Sequence, residues 1–188
     1  MAIKYFSVNP TTIEEELRKL ESDLFFEKVK SELNLTNYNF SFLIENIAIE
    51  SSGYYKPYTL AQYHEINNSK ENLSGELIFY KEAISNKFNA IFSKLYSSKH
   101  DRKLIIHNLK FLIVHELVHG KQFLLDGINF KKYSEEQYDE NPYEHEANES
   151  AKKILMKENA FLSENSPLIF PSNRSSEVCK NLNECFLK

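Results

Sequence analysis

The chain has 188 residues, of which 41% are hydrophobic and 27% charged, with only 4 Gly and 5 Pro. That length suits one domain with a sizeable core, and the scarcity of glycine and proline excludes long linkers and turn-rich repeats. A net charge of −4, without any Lys/Arg-rich block, argues against nucleic acid or an anionic membrane surface as a partner.

The opening "MAIKYFSVNP" has no apolar run behind a basic start, so a cytoplasmic location is expected, with non-classical secretion left open. Residues 11–35 read as one helix. Pro10 and Thr11–Thr12 offer its start, Glu14 to Glu16 suit its first turn, and Ile13, Leu17, Leu20, Leu24 and Val29 form an apolar stripe. "NFSFLIENIAIE", Asn39 to Glu50, is rich in aromatic and β-branched residues and predicts a long strand or a strand pair. Tyr58 to Ile66 predicts a further strand, "NNSKENLSG" a turn, and "GELIFY", Gly75 to Tyr80, another strand. Ile84 to Tyr96 reads as a helix through Phe88, Ile91, Phe92 and Leu95.

Asp101 to Leu125 is the longest helical candidate, and its apolar residues cover the whole circumference. Such a helix belongs at the centre of a fold, and Gly127 supplies a stop. Asn141 then caps another helix, with Pro142 at its first position and Glu144 placed to complete a capping box. No window is long and apolar enough for a membrane span. Residues 1–165 are read as one domain, and residues 166–188, with Pro167 and Pro171, as an irregular tail. Cys179 and Cys185 lie in that tail without further donors nearby, so reduced, unpaired thiols are expected. The fold class expected is α+β, a small, mostly antiparallel sheet packed on helices. The "GELIFY" strand would border the cleft with a free edge able to pair with an extended peptide.

The chemistry concentrates in "LIVHELVHGKQ", Leu112 to Gln122. Helix positions four apart project from one face on successive turns, so His115 and His119 can present two ring nitrogens to one ion. Glu116 is rotated away from that pair and suits a base acting on a water rather than a ligand. A catalytic zinc needs a third protein donor and an open position. The downstream candidates are Glu144, His145, Glu146 and Glu149. Ala147, Ala151, Ile154 and Leu155 define the buried stripe of their helix, and Glu144 lies nearer its centre than Glu146, whereas a capping role already accounts for Glu144.

"HELVH" followed by "YEHEANESA" resembles the gluzincin-type zinc metallopeptidases, in which a glutamate from a later helix completes the site. The likeness covers roughly residues 75–155. It implies a zincin-like domain with a central active-site helix and a third-ligand helix, and one catalytic zinc ion on His115, His119 and Glu146. It also implies Glu116 as general base and a peptide or protein substrate. Some members carry an Asp four residues after the ligand glutamate to orient a ligating histidine, and others an Asp two residues after; here Ser150 and Asn148 hold those places and can still hydrogen-bond. A rival reading is a zinc-binding regulatory or interaction module without turnover.

His64, His100 and His107 have no partner at metal spacing and read as surface or core histidines, and His145 as solvent-exposed. Asn108 and Gln122 fall roughly on the histidine face, where one could contact a ligating side chain or bound peptide, with packing the simpler role. Tyr133, Tyr138 and Tyr143 lie where an oxyanion donor could stand, with nothing to select among them. No Ser/His/Asp order, phosphate-binding glycine loop or paired-Cys motif competes. Oligomeric state is not legible.

Overall fold

A computed structural model describes residues 7–49, 53, 55–56, 59–69, 72–92, 101–133 and 141–158. Helix α1 spans Pro10–Glu21, with Asn9 as its cap: the Asn9 side chain accepts the Thr12 N–H at 2.8 Å. The single helix expected over residues 11–35 is in fact two. Asp23 accepts the Phe25 N–H and caps a new helix α2, Leu24–Glu32. The apolar stripe ran through the join because both helices face the same core, so periodicity alone could not reveal it. Leu24, counted in that stripe, is 85% exposed at the opening of α2.

Strand β1 is Asn39–Glu45, followed by the short antiparallel pair β2, Ala48–Ile49, and β3, Tyr55–Lys56. Then come β4, Ala61–Ser69, and β5, Asn72–Tyr80, which extend into the segment expected to be a turn. The main sheet has the order β1-β5-β4, with β1 parallel and β4 antiparallel to β5. The sheet is therefore mixed rather than mostly antiparallel, and "GELIFY" lies in its central strand with both edges paired. Alternation fixes which face a side chain takes and carries no information on strand direction or order, which is why both expectations failed. The registers put Phe42, Leu77 and Tyr63 in one row, and Ile44, Phe79 and Ala61 in the next. Leu77 and Phe79 are wholly buried, and the Phe42 and Phe79 rings stack at 4.6 Å.

Helices α3, Lys81–Phe92, and α4, Asp101–Tyr133, follow. Every residue from Phe111 to Gly120 is buried, so α4 is the central helix its composition predicts. The sheet closes on it where side chains are missing: a Cβ on Gly120 would lie 3.1 Å from the Phe40 ring and 3.3 Å from that of Tyr63. On α4's other sides lie α1 and α5, the latter Pro142–Glu158. Glu16 of α1 is buried and bonded to Lys19 and to Arg102 at the start of α4. The first helical run of α4 breaks just after Leu125, where the expected helix ends, one residue before the Gly127 stop. Asp126 adopts non-helical angles, φ −150° and ψ 55°, and the helix resumes to Tyr133.

The expected end of α3 at Tyr96, the tail over 166–188, His100, Tyr138 and both cysteines lie outside the described residues. Within those residues, no helix is long and apolar enough to cross a membrane.

His107 is buried in α4, its Nε2 has no partner among the described residues, and burial, helped by the Lys110 charge, pushes its pKa down to about 4. An unfolded chain takes up that proton near ~6.5. The unfolded state therefore binds more protons between these values, and stability present above pH ~6.5 is lost as the pH falls toward 4, by roughly 3 kcal/mol at full extent. Urea denaturation of the wild type and of His107→Leu at about pH 7 and about pH 4.5 checks this, with a flatter pH dependence expected in the variant.

Candidate metal centre

His115 and His119 sit one turn apart on α4, 7% and 6% exposed, with their Nε2 atoms 2.9 Å apart. The carboxylate they face is Glu144, in the first turn of α5. Its oxygens lie 3.2 Å from His115 Nε2 and 3.3 Å from His119 Nε2. These three donors form the one potential metal cluster among the described residues. Tetrahedral bonds of about 2.0–2.1 Å would set donors roughly 3.3 Å apart, close to the spacings observed. The small residues Ala147 and Ala151 are wholly buried in the α4–α5 seam, and Glu144 lies on their face of α5, so close packing carries it to the histidines.

Glu146, the ligand that the resemblance implied, is not brought to the histidines. It is exposed, and its Oε2 accepts the Gln122 amide at 2.9 Å. His145 is exposed as expected, and Glu149 pairs with Lys152. Asn141 caps α5 through the Tyr143 N–H at 2.9 Å, while the Glu144 side chain points to the imidazoles.

The electrostatics fit a site for a cation. Burial alone would raise the Glu144 pKa, but the two imidazoles outweigh it and hold the carboxyl at about 2. Burial likewise pushes His119 down, and its bond to Glu144 with the charges of Glu116 and Glu144 outweighs that, leaving it above the usual imidazole value. Even so, Glu144 Oε2, 3.2 Å from His115 Nε2, is buried without a well-formed hydrogen bond among the described residues. Two imidazole nitrogens and a carboxylate converge on one point, and a proton can satisfy only part of that set; a divalent ion satisfies all of it.

Glu116 is 5% exposed, and burial raises its pKa despite the nearby histidines. Its carboxylate accepts a bond from the Tyr63 backbone. Because Tyr80 N–H donates to Leu60 O, the alternation along β4 and β5 turns the Tyr63 N–H away from β5. The edge of β4 turned away from β5, which pairs with no other strand among the described residues, therefore borders Glu116.

The Gln122 Oε1 faces His119 Nδ1 at 2.8 Å, so the histidine's orienting partner comes from α4 itself rather than from Asn148 or Ser150 of α5. Tyr143, one of the oxyanion candidates, gives its hydroxyl proton to Asp126 at 2.9 Å. Phe130, carried past the Asp126 break, places its ring 5.5 Å from those of His119 and Tyr143. The sequence held no signal for the Tyr63 contact, because a backbone donor has no side-chain signature.

No family model, curated protein or solved structure matches this chain. The resemblance to gluzincins thus rests on the motif residues themselves.

Proposed function

We propose that the protein is a zinc-dependent metallopeptidase. The observation that carries this reading is the convergence of His115, His119 and Glu144 beside the buried Glu116. A His₂Glu donor set with a separate carboxylate matches catalytic rather than structural zinc, which prefers closed sites rich in cysteine. When bound, zinc would supply Lewis-acid polarisation of a carbonyl and a water acidified to a pKa of about 7.

Glu116 takes a proton from the attacking water and returns it to the departing amine. A carboxyl whose pKa is raised by burial suits both halves of that task better than an ordinary glutamate. The Tyr63 backbone bond holds the carboxylate in place. The substrate is a peptide or protein segment in extended form, lying along the free edge of β4 through main-chain hydrogen bonds. The edge assigned to "GELIFY" thus passes to its neighbour.

Metal analysis of the purified protein, with digestion of a peptide library with and without chelator, tests the reading. The expected result is a single zinc per chain and cleavage that the chelator abolishes. Zinc without cleavage would leave a metal-stabilised binding module, and protein free of zinc would sink the proposal.

A further inference from the structure

Gln122 follows His119 by three residues and stands between an imidazole and a carboxylate. Its Oε1 lies 2.8 Å from His119 Nδ1. Its Nε2 donates to Glu146 Oε2 at 2.9 Å and to the Tyr143 carbonyl at 3.0 Å. We infer that Gln122, held by Glu146 and the Tyr143 carbonyl, is the positioning residue that fixes the tautomer and aim of His119 toward the metal. This inference rests on the zinc reading above.

The assignment follows from hydrogen-bonding capacity. A carboxylate and a carbonyl oxygen can only accept, so the nitrogen end of the amide must face them. The oxygen end is then left for the imidazole, and Nδ1 must be the protonated nitrogen. In the neutral ring, His119 Nε2 is then the nitrogen that keeps its lone pair, on the side of Glu144 and His115 where a metal would bind. With Glu146 opposite, Gln122→Glu would set two carboxylates about one hydrogen-bond length apart with no donor between them. Asparagine is a methylene shorter and leaves one end of the span unmade. Glu146 acts at one remove, orienting the residue that orients the ligand.

Ring ¹⁵N shifts of His119 in metal-free protein at alkaline pH, together with zinc affinity from chelator competition, test the inference. The wild type should show the Nδ1–H tautomer. Gln122→Leu should lose that preference and weaken zinc binding by about 10–100-fold. Gln122→Glu should weaken it as well. Adding Glu146→Gln should recover the affinity, because the amide now at position 146 donates to the carboxylate at position 122. A merely structural role would not yield that reciprocal rescue.

A wild-type His119 protonated at Nε2 would overturn the inference, as would Gln122→Leu binding zinc at wild-type strength or a double variant no better than Gln122→Glu. Wild-type protein that takes up no zinc would overturn the metal reading alone, since the metal-free tautomer still decides the relay.

Discussion

Glu116→Gln is expected to abolish peptide cleavage while leaving zinc in place. The substitution keeps size and shape, and its carbonyl oxygen can still accept from the Tyr63 backbone, so the buried surroundings need not rearrange. What it removes is the ability to take a proton. General-base catalysis contributes about 10²–10⁴-fold, which is roughly 3–5 kcal/mol of barrier. Turnover should fall by at least that factor, since the same group also hands the proton to the departing amine. Zinc content measured on the same sample separates the possible roles. Loss of the metal would make Glu116 a ligand, and retained turnover would remove it from the chemistry altogether.

Much of this arrangement was legible in the residues, for physical reasons that differ from element to element. Spacing of four on a helix is a direct statement about geometry, so the His115–His119 pair needed no tertiary information. The apolar circumference of Asp101 to Leu125 likewise announced a central helix, and burial from Phe111 to Gly120 agrees. Sheet order was not legible. β1 pairs with β5 across more than thirty residues of chain, and the alternating pattern of either strand fits a parallel or an antiparallel neighbour. The edge beside Glu116 accordingly shifted from β5 to β4. Gln122 was visible on the correct face, yet its importance depends on what α5 brings opposite it, and a single helix does not encode that.

The third ligand is where local and tertiary reasoning part, and it sets the second large effect. Glu144→Ala is expected to release the zinc, with a loss of affinity well beyond the ~10–100-fold that follows removal of an outer partner. Glu146→Ala should keep the metal and weaken it only within that range, because Gln122 loses one of its two anchors while the Tyr143 carbonyl holds the other. The helical wheel supports this order. At 3.6 residues per turn, Glu144 lies roughly 60° from Ala147 at the seam, and Glu146 roughly 100° round on the other side. The capping-box pattern drew Glu144 toward its own backbone in the sequence. In the fold its oxygens lie 3.2 and 3.3 Å from the two imidazoles, and Asn141 caps the helix without it. His115→Ala should release zinc as Glu144→Ala does. Zinc retained in Glu144→Ala but lost in Glu146→Ala would transfer the ligand role to Glu146, as the resemblance implied, and would turn the Gln122 bond into a contact of the metal-free state.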